Sequence, residues 1–323
     1  MRLALLSVAV WLSMSASAAP TVPEQQQWLN ELAGKFELSQ DALNQALAQA
    51  HYQQSIIDAM TRPAEAKPWH QYRPIFLTDK RIEQGAAFWQ EHQPLLARAG
   101  QEFQVPAQII AAIIGVETYY GAHMGSHKVL DALYTLGFHY PPRGAFFRSE
   151  LGHYLKLAGE QQWALDEQKG SYAGAMGMGQ FISSSYRHYA VDFNQDGHTN
   201  LFDATDAIGS VANYFHQHKW QPGEPVAHPA RVADEQAAGA LLSDTLELDY
   251  SWAELAAAGV STNAELAPDT PVKLLRLDGA DGPEYWVVRH NFYVITRYNR
   301  SPLYAMAVYQ LSEEIRQAYE QQR

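Results

Sequence analysis

The sequence predicts an α+β protein that is mostly α, with several helical segments and one small β-containing insert. Apolar residues recur at three- and four-residue spacing along most of the 323 residues, which is the period of an amphipathic helix. Residues 105–117 are almost entirely apolar, as in a helix that is buried on all sides. Two short apolar and aromatic runs, 272–277 and 284–290, flank a turn of Asp, Gly and Pro and are predicted to be strands.

The amino-terminal part is predicted to be a helical lead-in. Residues 22–60 carry apolar side chains at helical spacing, and Ser39 is a predicted helix cap. Residues 62–74 contain three prolines and two aromatic residues, so this stretch is predicted to be irregular. Helical spacing resumes at Thr78.

The remainder of the chain alternates between helical and strand-like patterns. Residues 206–216 have helical spacing, and the prolines and glycine of 221–229 mark a boundary before the β-like runs. The carboxyl-terminal residues return to a helical period and are expected to pack back on the helical body. The predicted division is a signal peptide at 1–18, a helical region at 19–104, a core at 105–220, the β-containing insert at 221–290 and a carboxyl-terminal segment at 291–323.

Composition narrows the class of protein. Hydrophobic residues make up 47% and charged residues 18% of the chain, which is typical of a folded protein. Arg2, an apolar run at 3–12 and a small-residue site ending at Ala18 predict a secretory signal peptide, with a buried amino-terminal helix as the alternative. The net charge of -12 argues against nucleic acid as a partner, and the absence of cysteine excludes disulfides and a lipid anchor on a thiol.

Glu117 is the first candidate for chemistry. It ends the apolar stretch and is followed by Tyr119, Tyr120 and Gly121. A carboxyl group at the end of a buried helix loses solvation, which raises its pKa and lets it hold a proton near pH 7. Glu117 is therefore a candidate general acid, while a solvated or salt-bridged Glu at a helix end remains the structural alternative.

The stretch 170–186 contains four glycines before a serine run. Residues without a Cβ let a backbone approach a ligand, and its amides and carbonyls can then bind sugar hydroxyl and acetamido groups. No Lys follows the last glycine, so a phosphate loop is not indicated. The alternative is a tight turn between helices, with Met176 and Met178 in the core. Residues 183–185 are expected to cap a helix rather than to act as nucleophiles.

Residues 192–203 have the spacing of an EF-hand calcium loop. Oxygen-bearing side chains occupy loop positions one, three, five and twelve, and Gly197 occupies position six, where a sharp turn is needed. Calcium prefers oxygen ligands, so one structural Ca²⁺ site is predicted, with an Asp/Asn-rich surface turn as the alternative. The predicted ligands are Asp192, Asn194, Asp196, the His198 carbonyl and Asp203.

Five motifs resemble the membrane-bound lytic murein transglycosylase B family in a soluble, non-lipidated form. They are IIGVET at 113–118, GSYAGAMGMGQF at 170–181, YAVDFNQDGHTNLFD at 189–203, DAIGSVANYF at 206–215 and NFYVITRYNRS at 291–301. The resemblance spans nearly the whole mature chain. It implies a lysozyme-like helical core, an additional helical domain, a small β-containing insert, one EF-hand-like calcium loop and no organic cofactor.

The resemblance also implies the reaction and its site. Enzymes of this family cleave the β-1,4 bond between N-acetylmuramic acid and N-acetylglucosamine in peptidoglycan and leave 1,6-anhydromuramoyl ends. Glu117 takes the catalytic position, and one Arg stands where relatives tend to carry two. The residues that match substrate-binding positions are Ser171, Gln180, Phe181, Tyr214, Tyr72, Tyr298, Tyr304 and Arg143.

Glycoside cleavage usually needs two carboxylates, and the sequence offers no obvious second one. A single acid suffices if the muramoyl acetamido group and C6 hydroxyl of the substrate supply the missing functions. The alternatives are a hydrolytic lysozyme that uses the same acid, and a peptidoglycan-binding module without activity. We expect peptidoglycan strands as the partner, other cell-wall enzymes as further candidates, no membrane anchor and a periplasmic location.

Overall fold

The computed structural model describes residues 22–62 and 67–322, so the predicted signal peptide at 1–18 lies outside the described residues. The amino-terminal part is helical, as its spacing predicts. Ser39 accepts a hydrogen bond from the Ala42 amide and caps the second helix. The helices here are α1 (Val22–Phe36), α2 (Gln40–Gln49), α3 (Gln54–Thr61), α4 (Trp69–Phe76), α5 (Asp79–Glu91) and α6 (Gln93–Phe103).

Helix α4 corrects the prediction that residues 62–74 are irregular. Trp69 is 1% exposed, and Tyr72 and Phe76 follow it at helical spacing, so the burial of one aromatic face outweighs the hydrogen bond that Pro74 cannot donate. The Trp69 indole N–H donates to the Glu284 carboxylate over 3.1 Å. Helix α4 is therefore fixed both to the helical core and to the β-containing part of the chain.

The central part of the chain contains the apolar helix and the loops that surround its end. A 3-10 turn, Pro141–Arg143, precedes the long helix of this region. Two short strands, β1 (His127–Lys128) and β2 (Lys169–Gly170), pair antiparallel. The helices are α7 (Ala107–Thr118), α8 (Val129–His139), α9 (Gly144–Gln161), α10 (Ser183–Tyr189) and α11 (Ala204–Gln217).

The start of α10 corrects the second local prediction. Ser183 begins the helix as a fully buried residue, and none of the serines at 183–185 caps it. The Glu150 carboxylate, buried on α9, instead accepts a hydrogen bond from the Ser184 amide over 2.9 Å. A carboxylate of a neighbouring helix therefore stabilises the amide groups at this helix start.

The predicted β-containing insert is an antiparallel five-stranded sheet. Its strands follow the order β4-β6-β7-β3-β5, and the hairpin of β6 and β7 pairs Lys273 with Val288 and Asp278 with Pro283. The elements are β3 (Ala227–Val232), α12 (Glu235–Gly239), β4 (Tyr250–Ser251), α13 (Trp252–Ala257), β5 (Val260–Thr262), β6 (Pro271–Asp278) and β7 (Pro283–Val288). Two helices, α14 (His290–Tyr298) and α15 (Pro302–Gln321), complete the described chain.

Strand β6 is buried on both faces of the sheet. Leu275 and Leu277 of β6 join the main apolar core of the helical body, whereas Val272 and Leu274 join a second, smaller core with Leu255 of α13. The alternation of side chains along a strand sends successive residues to opposite faces. This explains why the run at 272–277 is apolar on both sides.

Helix α7 lies at the centre of the main core. Residues 109–115 of this helix are all buried, and α7 contacts α5, α6, α11 and α15. The prediction of a helix that is apolar on all sides is thus confirmed. Glu117 lies near the carboxyl end of this helix, where burial is no longer complete. The domain boundaries given above stay a prediction. Within residues 22–62 and 67–322, no helix is both long and apolar enough to cross a membrane.

Candidate active site

Glu117 lies in the last turn of α7, next to an unusual backbone turn. Tyr119, Tyr120 and Gly121 have φ angles of 55°, 58° and 88°, so three successive residues adopt the left-handed conformation. Side chains with a Cβ rarely do so without support from the surrounding structure. The turn ends the helix directly after the carboxylate, and it directs the chain away from the core.

Tyr120 holds this turn in place. Its hydroxyl donates to the Arg81 carbonyl on α5 over 2.8 Å. The ring lies so close to α7 that a Cβ at Gly115 would be 2.6 Å from the Tyr120 hydroxyl oxygen. Gly115 is therefore required for a close approach, because any larger side chain would push the ring out. The apolar helix and the tyrosine pair together fix the main chain around Glu117.

The Glu117 carboxylate is half-buried and has one close hydrogen-bond partner. Tyr304, at the start of α15, donates its hydroxyl to Glu117 Oε1 over 2.5 Å. Loss of solvent raises the pKa of Glu117 from 4.5 to about 7, although the Tyr304 hydrogen bond acts in the opposite direction. Glu117 is therefore poised to hold a proton near neutral pH and to release it again.

Two further tyrosines face Glu117. Burial raises the pKa of Tyr72 on α4, and the negative charge of Glu117 raises it further. The same two causes, in the same order, raise the pKa of Tyr298 at the end of α14. Both rings are half-buried. The structure thus brings Glu117, Tyr72, Tyr298 and Tyr304 together from four different helices.

No second carboxylate acts on Glu117 among the residues that the structure describes. The causes of its raised pKa are burial and the Tyr304 hydrogen bond, with no acidic neighbour among them. A paired carboxylate close by would raise the pKa by repulsion and would belong with these causes. Within the described part of the chain, no acidic neighbour therefore contributes to the raised pKa of Glu117, and the single-acid site stays a prediction.

The glycine-rich stretch 170–181 forms a folded strip beside this acid. Met176 bridges to Gly170 on one side and to Phe181 on the other. Gly174 and Gly177 have φ angles of 79° and 71°, which explains why glycine is needed at these two positions. The alternative interpretation, a tight turn with Met176 in the core, is thus correct for this residue, since Met176 is fully buried.

The strip meets the tyrosines at Gly179. The Tyr298 hydroxyl donates to the Gly179 carbonyl over 2.5 Å. A Cβ at Gly179 would lie 2.9 Å from the Tyr298 hydroxyl oxygen, so only glycine allows this approach. The glycine-rich strip and the Glu117 group are therefore one structural unit.

Ser171 and Gln180 are both half-buried, and both hold the strip in shape. The Ser171 hydroxyl oxygen accepts from the amides of Ala173 and Ala175 over 3.3 and 3.1 Å. The Gln180 side-chain amide donates to the carbonyls of Met124 and Gly177 over 3.2 and 2.9 Å. With its amide hydrogens engaged in this way, the carbonyl oxygen of Gln180 is the group that can accept a hydrogen bond from a ligand.

The other predicted binding residues differ in their exposure. Phe181 and Tyr214 are 3% and 8% exposed, and their rings pack against Tyr298 with centroid distances of 5.9 and 4.8 Å. Both rings therefore help to hold the Tyr298 ring in place. Arg143 is exposed on the 3-10 turn, where its guanidinium lies 4.4 Å from the centroid of the Phe146 ring. A second ring, that of Phe147, lies 5.2 Å from the same guanidinium.

The loop 192–203 turns sharply at its sixth position. Gly197 has a φ of 91° at the predicted sharp turn. Oxygens of Asp192 and Asn194 both accept from the Asp196 amide, over 3.1 and 3.0 Å. The oxygens of the first and third loop positions therefore converge on one point. An all-oxygen donor set of this kind fits a hard cation such as Ca²⁺.

Asp203, at the twelfth loop position, has a different partner. Its carboxylate accepts from the Thr205 amide over 2.8 Å and caps α11. Among the described residues, no three acidic or histidine side chains form a cluster that could hold a metal. The side chains of Asp192, Asp196 and Asp203 therefore do not form a complete site by themselves.

The sequence did not lead us to Asp206, which stabilises this loop through hydrogen bonds. Its side chain is fully buried and accepts from the amides of Phe193, Asn194 and Asn200 over 2.8, 3.3 and 2.7 Å. The signal was present, because Asp206 precedes the apolar residues Ala207 and Ile208 on a helix that is otherwise buried. A buried carboxylate in such a position is expected to have several hydrogen-bond donors.

Comparisons with known proteins agree with this geometry. The sequence profile of the Transglycosylase SLT domain matches residues 22–313. Membrane-bound lytic murein transglycosylase B of Escherichia coli (strain K12) is 43% identical over 303 residues, which cover 91% of this chain and 82% of that protein.

Solved structures of related proteins have the same fold. Catenated lytic transglycosylase SltB1 from Pseudomonas aeruginosa matches with a TM-score of 0.88 and 50% identity, covering 93% of this chain and 99% of that chain. Lytic transglycosylase Slt35 from Escherichia coli, solved in complexes with calcium and with bulgecin A, matches with a TM-score of 0.83 and 43% identity, covering 91% of this chain and 93% of that chain.

The raised pKa of Glu117 predicts a pH dependence of stability. The folded protein holds this proton up to about pH 7, whereas an unfolded chain releases it near 4.5, so the free energy of unfolding falls as pH rises between these values. The full difference is about 3 kcal/mol, and partial exposure reduces it to about 1 to 2 kcal/mol. Glu117→Gln is therefore expected to be more stable than the wild type at about pH 8 and equally stable at about pH 4.

Denaturant unfolding at the two pH values measures this difference. Glu83→Gln, which removes one exposed negative charge, is the control. A Glu117→Gln variant whose stability relative to the wild type is the same at both pH values would contradict a raised pKa.

The buried Asp206 predicts a large loss of stability on truncation. Asp206→Ala removes the acceptor of three amides and is expected to lower the free energy of unfolding by about 3 kcal/mol or more. Asp203→Ala removes only a helix cap and is expected to cost about 1 kcal/mol. Both are measured by denaturant unfolding in the presence of a chelator, so that no bound cation contributes. Equal losses for the two variants would show that Asp206 does not organise the loop.

Proposed function

The chain belongs to the Transglycosylase SLT family and is a peptidoglycan lytic transglycosylase, and on this basis we propose that Glu117 is its single catalytic acid and base. The observation that carries the proposal is the environment of that carboxyl group. It is half-buried, accepts a hydrogen bond from Tyr304 and has a pKa of about 7, as a group that first donates and then accepts a proton requires.

The proposed reaction cleaves the β-1,4 bond between N-acetylmuramic acid and N-acetylglucosamine. Protonated Glu117 donates to the bridging oxygen, and the bond between this oxygen and C1 of the muramoyl residue breaks. The acetamido oxygen of the same sugar stabilises C1 while the departing sugar leaves. The C6 hydroxyl then bonds to C1 and gives its proton to the Glu117 carboxylate, which restores the acid. The product carries a 1,6-anhydro end, and no water is consumed.

Tyr304 supports both halves of this cycle. Its hydroxyl donates to Oε1 and leaves the second oxygen of Glu117 to exchange the proton with the substrate. A fixed hydrogen bond of this kind orients the carboxyl group before the substrate arrives. It also stabilises the carboxylate form, which keeps the pKa from rising beyond the neutral range.

We place the glycan between the glycine-rich strip and the tyrosines. The half-buried rings of Tyr72 and Tyr298 offer surfaces for sugar rings, and the carbonyl oxygen of Gln180 offers an acceptor for an acetamido N–H. Ser171 shapes the strip beside them. Phe181 and Tyr214 contribute by supporting Tyr298. Arg143, which is exposed, is proposed to contact the peptide stems of the substrate.

We propose that loop 192–203 binds one structural Ca²⁺ ion. The supporting observations are the converging oxygens of Asp192 and Asn194 and the solved structure of the relative Slt35 in complex with calcium. Asp192, Asn194, Asp196, the His198 carbonyl and Asp203 would hold the ion. Bound Ca²⁺ would neutralise the acidic loop and stabilise it, and it takes no part in bond cleavage.

The remaining proposals concern location and organisation. We propose that the protein acts in the periplasm, because its substrate is peptidoglycan and residues 1–18 have the pattern of a signal peptide. Other cell-wall enzymes are candidate partners. The proposed division keeps a helical region at 19–104, a lysozyme-like core at 105–220, the sheet at 221–290 and a carboxyl-terminal segment at 291–323.

Digestion of purified peptidoglycan by the wild type and by Glu117→Gln tests the mechanism. The variant keeps the shape of the side chain but cannot donate a proton, so activity is expected to fall by about three orders of magnitude or more. Glu314→Gln on α15 is the matched control for the same substitution elsewhere. Near-normal turnover by Glu117→Gln would remove the proposed mechanism.

The mass of the released muropeptides tests the identity of the attacking group. An anhydro end is lighter by one water than a reducing end, so a transglycosylase and a hydrolytic lysozyme give different products from the same bond. We expect anhydro ends throughout the wild-type digest. Reducing ends as the main product would show that water attacks C1 in place of the C6 hydroxyl.

Thermal unfolding with added Ca²⁺ tests the proposed loop site. A ligand at about 100 times its Kd stabilises by about 2.7 kcal/mol, which raises the Tm of a protein of this size by about 5 °C. Asp196→Asn removes one predicted ligand charge and should reduce this rise. Asp234→Asn, at the exposed cap of α12, should leave it intact. A wild-type Tm that neither Ca²⁺ nor a chelator changes would contradict the site.

A further inference from the structure

Thr118, the residue after Glu117, is fully buried and has three hydrogen-bond partners. Its hydroxyl lies 2.8 Å from the Met178 carbonyl and 3.2 Å from the Ile114 carbonyl, and it can donate to either. The same oxygen accepts from the Gly121 amide over 3.0 Å. One side chain thus joins the last turn of α7, the left-handed turn after it and the glycine-rich strip.

Met178 is held from its other side as well. Its amide donates to the Leu201 carbonyl over 2.8 Å, at the end of the proposed calcium loop. The side chain of Met178 packs over Gly121, where a Cβ would lie 2.9 Å from the Met178 methyl carbon. The next residue is Gly179, whose carbonyl accepts from Tyr298. Thr118 is therefore a direct hydrogen-bonded link between the end of α7 and the strip.

We propose that Thr118 is a positioning residue for the transglycosylase reaction, which fixes Glu117 relative to the glycine-rich strip that receives the substrate. This inference rests on the proposed role of Glu117. The substrate has to contact both sides at once, because the acid approaches the bridging oxygen while the strip holds the same sugar. A displacement of about 1 Å between two such surfaces can reduce the rate about a hundredfold.

The hydroxyl group is the part of Thr118 that matters for this role. Thr118→Val keeps the size and branching of the side chain but removes both the donor and the acceptor. The Met178 carbonyl and the Gly121 amide then lose a buried partner, and groups of this kind move until they find another donor or acceptor, usually water. Thr118→Ser keeps the hydroxyl and loses only a methyl group.

We expect water that enters beside Thr118 to reach the adjacent residue, Glu117. The titratable groups that face this carboxyl are Tyr72, Tyr298 and Tyr304, and the substitution changes none of them. Because loss of solvent is the main cause of the raised pKa of Glu117, renewed hydration lowers that pKa toward 4.5. The acid is then deprotonated at a lower pH, so the alkaline limb of the kcat profile moves to lower pH.

The experiment compares four full-length proteins: the wild type, Thr118→Val, Thr118→Ser and Thr135→Val. Thr135 on α8 is an equally buried threonine whose hydroxyl accepts from the Gln53 amide at the start of α3. Its variant therefore controls for the loss of a buried hydroxyl. For each protein, kcat and KM are measured on purified peptidoglycan strands across pH. The Tm is measured in parallel.

We expect Thr118→Val to lose about tenfold to a hundredfold in kcat, with KM changed by less than about threefold, and to shift the alkaline limb to lower pH. Thr118→Ser should recover most of the lost kcat and the wild-type limb. Thr135→Val should lower the Tm but keep the kcat and the limb. A Thr118→Val protein with a lower Tm but an unchanged kcat and an unchanged alkaline limb of the pH profile would overturn the inference. The role of Thr118 would then be purely structural.

Failure of this inference can be distinguished from failure of the proposed function. If Glu117→Gln is inactive while Thr118→Val has a normal kcat and pH profile, Glu117 stands and Thr118 does not position it. If Glu117→Gln keeps its activity, the acid has been assigned wrongly, whatever Thr118→Val does. If Thr118→Val does not fold, the inference is decided by Thr118→Ser, in which loss of kcat with a wild-type Tm would contradict it.

Discussion

The site depends on a half-buried carboxyl group that has lost much of its contact with water and has no basic partner in the described portion of the chain. Glu117 leaves the end of a helix whose other residues form the centre of the core, and it meets one hydrogen-bond donor, the Tyr304 hydroxyl. A basic residue at this position would have stabilised the carboxylate and kept it ionised at neutral pH. The protein instead uses a phenol, which orients the acid at little cost to its proton.

Much of the surrounding architecture serves to keep that environment constant. The apolar sequence of α7 anchors the acid, Gly115 allows Tyr120 to close over the helix, and the left-handed turn that follows requires outside support. The glycines of the strip serve a similar purpose, since Gly179 lets Tyr298 reach the backbone. Rigid helices on several sides thus hold a site that loops alone would hold less accurately.

The sequence predicts the parts of this site that depend on local chemistry. The buried helix, the β hairpin, the calcium-loop spacing and Glu117 follow from periodicity, turn residues and the cost of burying a charge. It does not predict partners that meet only in the folded chain. Glu150 caps α10 from another helix, Asp206 supports a loop that begins fourteen residues earlier, and Trp69 makes a helix of a proline-containing stretch. In each case the partner is set by tertiary contacts, although the position of Asp206 before apolar residues already signals a buried carboxylate.

The contact between Trp69 and Glu284 links the sheet to the helical body. Tyr72 of helix α4 faces Glu117, and Trp69 of the same helix donates a hydrogen bond to Glu284 of β7. The sheet therefore has a role in the placement of an aromatic ring that it does not itself contain. Replacement of this sheet by another would therefore disturb helix α4 and its Tyr72 unless the new sheet also supplied an acceptor for the Trp69 indole. One carboxylate of the sheet thus affects a helix that lies outside it.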